Sequence, residues 1–118
     1  MKYLCLVYVD AVAVAKLSPQ QNQKLIGDSM AFDAEVERRG QLIMAQPLHE
    51  PETAVTIRMR NGKMSSTDGP FAETKEHLGG FFLIDARDLN EAIQIASGSP
   101  MAEVGSIEVR PCLDIRRG

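Results

Sequence analysis

The sequence predicts an α+β fold, an antiparallel sheet with two helices on one face and a β-hairpin inserted midway. Three observations carry this. Short apolar runs of strand length alternate with two longer stretches of helical periodicity. The segments 3–9 and 81–84 are apolar at odd and even positions alike, the mark of strands covered on both faces. Asn61-Gly62 separates two extended runs, the strongest local signal for a two-residue hairpin turn. At 118 residues the chain is expected to be one domain spanning 1–118, with room for one core of modest size.

The first strand is read over 3–9. Leu4, Leu6 and Tyr8 point one way and Tyr3, Cys5, Val7 and Val9 the other. A helix begins at Ser18, which can cap, with Pro19 at the first helical position and Gln21 completing a capping box. Leu25, Phe32 and Val36 recur at helical spacing, and Ile26 and Met30 widen the stripe. Arg38-Arg39 suit the helix C-terminus and Gly40 ends it. Leu42–Ala45 is a second strand, stopped by Pro47. The hairpin pairs 54–59 with 64–67.

Gly79–Asp85 contains four consecutive large apolar residues and reads as a central strand. Asp88 caps a second helix, with Glu91 placed to reciprocate. Leu89, Ala92, Ile93 and Ala96 give that helix its apolar face, and Gly98 and Pro100 close it. The last strand, 106–113, alternates cleanly: Ile107 and Val109 face the helices, Glu108 and Arg110 the other side.

This order is that of a ferredoxin-like βαββαβ sandwich with an inserted β-hairpin. Two helices cover one face of a four-stranded sheet, yet the first and central strands are apolar on both. The open face therefore wants a cover, and a second copy of the same sheet is the simplest. The expected partner is the chain itself, as a homodimer through that face.

The net charge of −3 and pI near 5.3 argue against general nucleic-acid binding, which wants a basic face. No window reaches the roughly 18–20 apolar residues of a membrane span. The apolar N-terminus is too brief for a signal peptide and soon meets Asp10, so a cytoplasmic location is expected. Cys5 and Cys112 do not make a disulfide framework. They read as two small buried apolar residues, or as a redox pair on neighbouring strands.

The chemistry-bearing stretch is Asp68-Gly69-Pro70-Phe71-Ala72-Glu73-Thr74-Lys75-Glu76. Asp-Gly-Pro makes a rigid turn, because Asp bonds backbone N–H groups, Gly permits positive φ and Pro fixes its own. Phe71 reads as the loop's anchor in the core. Glu73, Lys75 and Glu76 form either a solvated charge run or the rim of a site. A buried Arg110 would require Asp68, Glu73 or Glu108 as partner, and the pair would seal structure or clamp an anion. His77 sits between the charge run and Gly79-Gly80 and reads as a loop histidine or a general base. His49 falls on a loop. No metal site is expected, since the histidines are 28 positions apart with no local ligand spacing. No cofactor is expected either: Gly79-Gly80 opens a strand, whereas a phosphate cradle opens a helix.

Asp68-Gly69-Pro70-Phe71, Glu73, Lys75-Glu76, Gly79-Gly80-Phe81, Glu91-Ala92, Pro100 and Ile107-Glu108-Val109-Arg110-Pro111 together resemble the YciI-related family, in its DGPF-motif branch. The resemblance covers nearly the whole chain. It implies a dimeric α+β barrel, in which two such sheets face each other. Proteins of this kind are mostly uncharacterised, and many are encoded near extracytoplasmic-function sigma factors. Some shorter members look like lyases with a His and an Asp in the cleft, and alignment on Gly40 and Pro100 puts those positions at Ser29 and Ser99. Residues 48–78 are an insertion relative to that form.

Two functions follow. In the first, the protein is a small enzyme acting on a small polar metabolite by acid/base chemistry, in a cleft between sheet and Asp68 loop. Asp68 or Glu73 is then the catalytic acid/base, and Lys75, His77 and Arg110 bind the ligand. In the second, it is a ligand-sensing or interaction module, linked to sigma-factor regulation, whose loop charges form a binding surface.

Overall fold

The architecture comes from a computed structural model that describes residues 1–116. β1 (Lys2–Asp10) is an inner strand of a four-stranded antiparallel sheet. It pairs with β5 (Glu76–Asp85) on one side and β6 (Gly105–Pro111) on the other, and β2 (Leu42–Pro47) adds to the outer edge of β5. The resulting order β2-β5-β1-β6 is the ferredoxin-like arrangement. β5 starts at Glu76, earlier than the Gly79 expected, because Leu78, His77 and Glu76 continue the ladder against Tyr8, Val9 and Asp10 past a register shift after Val7.

Two helices cover one face. α2 (Pro19–Arg38) starts as its sequence dictates: the Ser18 hydroxyl accepts from the Gln21 N–H at 3.1 Å, and the Gln21 amide oxygen accepts from the Ser18 N–H at 2.8 Å. It ends where Gly40 takes φ 74°. α3 (Leu89–Ala96) is capped by Asp88, whose carboxylate accepts from the Glu91 N–H at 2.9 Å. Glu91 does not reciprocate onto Asp88. It accepts instead from the Arg87 N–H and from the Gln41 side chain, tying the helix start to the end of α2. The sequence pattern missed one short helix, α1 (Ala11–Ala15), capped by Asp10. Five residues are too few to show a helical period.

Tyr3, Cys5 and Val7 of β1 and Phe82 and Ile84 of β5 meet Val36 of α2 and Ala92, Ile95 and Ala96 of α3 in the core. Phe32 packs its ring edge-on to Phe82, centroids 5.5 Å apart. The buried stripe of α3 is Ala92, Ile95 and Ala96, while Leu89 and Ile93 are about half exposed. Ile26 and Met30 also stay largely exposed, beside the core stripe of α2. Gly105 is obligatory where β6 meets β1: a Cβ there would fall 1.8 Å from the Tyr8 carbonyl oxygen.

Among the described residues, none forms a layer on the other face of the sheet. Leu4 lies beside Leu83 and Leu6 beside Phe81, all half-buried, with Glu108 and Arg110 on the β6 flank of the same face. Cys5 is fully buried, and burial, helped by Cys112, pushes its thiol up to about 12. Cys112 lies just beyond β6 and is exposed, contrary to the expectation of two buried thiols.

The inserted hairpin pairs β3 (Val55–Arg60) with β4 (Lys63–Asp68) as a separate two-stranded sheet. Asn61 and Gly62 both take positive φ, 53° and 75°, as a primed hairpin turn requires.

Candidate functional site

The Asp68 stretch closes the base of the β3–β4 hairpin. Asp68 ends β4 opposite Val55 and is exposed. Gly69 takes φ 103°, its N–H donates to the Ala54 carbonyl at 2.7 Å, and its own carbonyl accepts from the Thr56 hydroxyl at 2.9 Å. Gly69 takes the positive φ that the sequence indicates, but among the described residues the Asp68 carboxylate accepts no backbone N–H, so the turn is held by Gly69 and Thr56 and not by an Asp68 bond. Phe71 is not an anchor in the core: it is 79% exposed, with the Arg58 guanidinium 5.6 Å above its ring. The neighbour of that ring is an arginine in place of a hydrophobic layer.

Glu73 and Lys75 are exposed on the loop between β4 and β5. His77 is half-buried on β5, opposite Val9, and is therefore a strand residue. Arg110 is exposed and ion-pairs with Glu108, two residues away along β6. Among the described residues no ion pair joins Asp68 or Glu73 to Arg110 or to Lys75. Neighbouring Glu76 is tied into β6, its carboxylate accepting from the Ser106 hydroxyl at 2.7 Å. The structure therefore does not draw these charges together around one concavity.

A concavity does exist elsewhere, on the helix side of the sheet. It holds about 380 Å³ between α2, the β2–β5 edge and the turn Pro100–Glu103, a size typical of small-ligand sites. Asp68, Glu73, Lys75, His77 and Arg110 are all outside its lining. Val7, Val9, Phe32 and Phe82 supply apolar wall. Gly79 and Gly80 floor it, and their missing side chains matter: a Cβ at Gly79 would fall 2.6 Å from Val9, and one at Gly80 3.0 Å from the Gln46 carbonyl oxygen. Sequence reading linked these glycines to a strand start. The structure links them to close packing of three strands and to open space beside it.

A few polar side chains reach this apolar space. Ser29 and Asp33 lie one turn apart on α2, so they share a face. The Ser29 hydroxyl oxygen is buried and, among the described residues, bonds to no protein group, a costly state in an interior. Burial raises the Asp33 carboxyl above the ordinary Asp value. Ser99 is buried on the facing side, its hydroxyl accepting from the Met101 N–H at 3.4 Å. Ser29 and Ser99, the two positions singled out by resemblance, thus lie in one cavity. Asp33 was missed. The available signal was its place one turn beyond Ser29, beside the buried stripe Leu25-Phe32-Val36, where a solvated carboxylate is out of keeping.

The arrangement can hold a mainly apolar molecule, present hydroxyl groups to an oxygen on it, and move a proton at Asp33. Among the described residues no three His, Cys, Asp or Glu side chains group as a metal would need, and no helix is long and apolar enough to cross a membrane.

Comparison with known proteins agrees with the fold. The family model described as the YCII-related domain matches residues 1–116. An uncharacterised protein of Rhizobium meliloti (strain 1021), R00369, is 36% identical over 113 residues, covering 94% of this chain and 91% of that protein. Among solved structures, 5-chloro-2-hydroxyhydroquinone dehydrochlorinase of Burkholderia phenoliruptrix AC1100, in complex with 2,5-dihydroxybenzoquinone, aligns over 100% of this chain and 99% of its own. The TM-score is 0.51 at 15% identity.

Proposed function

The chain belongs to the YCII-related domain family, and on that premise we propose that it is a small-molecule enzyme whose reaction turns on proton transfer at Asp33, in the cavity between α2 and the sheet. One observation carries this reading. A carboxyl raised by burial shares an apolar cavity with a buried hydroxyl that has no protein partner. A carboxyl shifted toward neutrality is a better general base and acid than a solvated one.

The substrate suited to this space has a compact unsaturated or ring body and at least one hydroxyl or carbonyl oxygen. Ionised Asp33 takes a proton from a substrate O–H, or from a C–H beside a carbonyl. The electron pair left behind moves onto the substrate oxygen, where the Ser29 and Ser99 hydroxyls donate to it. Asp33 then returns the proton, at the same or another atom. A hydroxylated ring, such as the one that the dehydrochlorinase of similar fold acts on, has this size and polarity, which supports the choice of substrate class. Asp68, Glu73, Lys75, His77 and Arg110 take no part in this step.

The test is a thermal-shift screen of hydroxylated aromatic compounds and small enolisable ketones, with turnover followed by mass spectrometry. A compound that stabilises wild type and Asp33→Asn alike, but is consumed only by wild type, supports the proposal. Equal turnover by Asp33→Asn overturns it. Binding without turnover in either protein makes the cavity a sensing site, which is the alternative reading.

A further inference from the structure

Gly79 and Gly80 sit side by side on β5, and both border the cavity under α2. Among the described residues positive φ occurs at Gly40, Gly62, Gly69 and Asn61, so backbone conformation does not demand glycine at 79 or 80. Space demands it. Besides the approaches to Val9 and to the Gln46 carbonyl, a Cβ at Gly80 would stand 3.2 Å from the Pro47 Cα. Packed layers of secondary structure lie roughly 10 Å apart, and side chains from both layers normally fill the gap. Here two consecutive residues of β5 add only backbone to it. The sheet side of the cavity is therefore level where side chains would otherwise stand.

The remaining walls suit an aromatic guest. Phe32 and Phe82 border the cavity with their planes inclined at 70°, so a flat ring lying parallel to one is edge-on to the other. Met30 of α2 and Met101 of the Pro100–Glu103 turn border it too, and thioether sulfur is favourable at the rim of an aromatic ring. The polar groups Ser29 and Asp33 come from α2, and Ser99 comes from the start of that turn. A guest's oxygen is thus held from the helix side while its ring rests on the strand.

We propose that the bare Gly79-Gly80 backbone makes the cavity a slot for a flat conjugated ring carrying a hydroxyl or carbonyl oxygen. These two glycines then select such a ring over saturated rings and branched chains of equal carbon number. The inference rests on the cavity being the substrate site, and it narrows the substrate to conjugated rings. A flat ring is one atom thick and fills the gap that a missing side chain leaves. A puckered ring is thicker and must displace Phe32 or Met30 to enter. An open-chain ketone meets the same polar groups but leaves the level floor uncovered, and those contacts are lost.

Phenol and cyclohexanol test this, because they share carbon count and hydroxyl and differ in flatness. Both are titrated by NMR into Asp33→Asn, in which no carboxylate favours the more acidic hydroxyl of phenol. Apolar area alone gives cyclohexanol, the bulkier of the two, equal or tighter binding. The expected result is phenol bound about three- to tenfold tighter, the usual worth of aromatic contacts. Gly80→Ala, added to that variant, raises the floor by one methyl and weakens phenol by about threefold or more. Met30→Ala, at a position 68% exposed, keeps the wild-type fold by far-UV circular dichroism and serves where Gly80→Ala does not fold. It thickens the slot from the helix side, so cyclohexanol gains on phenol by about twofold. Equal binding of the two compounds, tighter binding of cyclohexanol, or binding of neither overturns the proposal. A preference that both variants leave unchanged overturns it as well. The readout is binding to a protein without the Asp33 carboxylate, so a failed slot leaves proton transfer at Asp33 standing. Equal turnover by wild type and Asp33→Asn removes that chemistry without moving the binding ratio.

Discussion

The Asp68–Glu76 loop and the cavity under α2 differ in how they hold polar groups. The loop gathers Asp68, Glu73, Lys75 and Glu76 within nine residues, yet the first three stand in water and Glu76 is bound into β6. The cavity has one carboxyl and a few hydroxyls, set against Val7, Val9 and Phe32. Charge is dense in the first region and scarce in the second. Only in the second does a wall of hydrocarbon alter what a proton costs to remove. Surroundings, more than the number of ionisable groups, mark the place where chemistry is feasible.

The sharpest break of this comparison is catalytic. Asp33→Asn lowers kcat on a turned-over compound by about 10²–10⁴-fold, the usual worth of a positioned acid or base, whereas Asp68→Asn changes it less than about twofold. Equivalent losses would put the loop back in the reaction. Next in size is a pair of glycine substitutions read by urea unfolding. Gly105→Ala drives a methyl into the Tyr8 carbonyl and costs about 3–5 kcal/mol. Gly69→Ala meets open space and costs only about 1 kcal/mol, for its positive φ.

Smaller effects sharpen the contrast. Ser29→Ala removes a buried hydroxyl with no protein partner, so stability holds or rises by up to about 1 kcal/mol while ligand affinity falls. Phe71→Ala, on an exposed ring, shifts stability by less than about 0.5 kcal/mol.

The smallest effect is in acid titration. Asp33 and Glu35 are two residues apart on α2 and shift in opposite directions. Burial raises Asp33, so its folded form holds the proton more tightly. That contribution favours the fold at low pH and is lost as pH rises through the raised value. The Arg38 hydrogen bond, aided by Arg39, lowers Glu35 to about 2. Its contribution is present above the ordinary Glu value and fades as pH falls toward about 2. Carboxyl chemical shifts followed by NMR should show Asp33 titrating above Glu35. Glu35 is solvent-exposed, so its weight in overall stability is small.

Much of the fold was legible because short-range rules governed it. Ser18 with Gln21, Asn61 with Gly62, and Gly40 each act on backbone within a few residues, and the structure uses them as expected. The alternation in β1 and β6 likewise named the faces of the sheet. The cavity was not legible as a site. It is formed by residues far apart in sequence, from Val7 to Met101, and partly by side chains that Gly79 and Gly80 do not have. Phe71 misled because an aromatic after a rigid turn usually looks for a core, and here Arg58 lies over it. Glu108 was among the partners named for Arg110 on the open face, and the structure pairs the two there, with Arg110 exposed on the edge strand β6.

The hairpin tip has a practical meaning of its own. Among the described residues β3 pairs with β4 and with no strand of the main sheet, so no register described in the body depends on chain continuity at Asn61-Gly62. New termini opened there, or a reporter domain inserted there, should leave the four-stranded sheet and its helices to fold as before. The molecule thus offers a seam at which it can be cut and rejoined without touching the cavity.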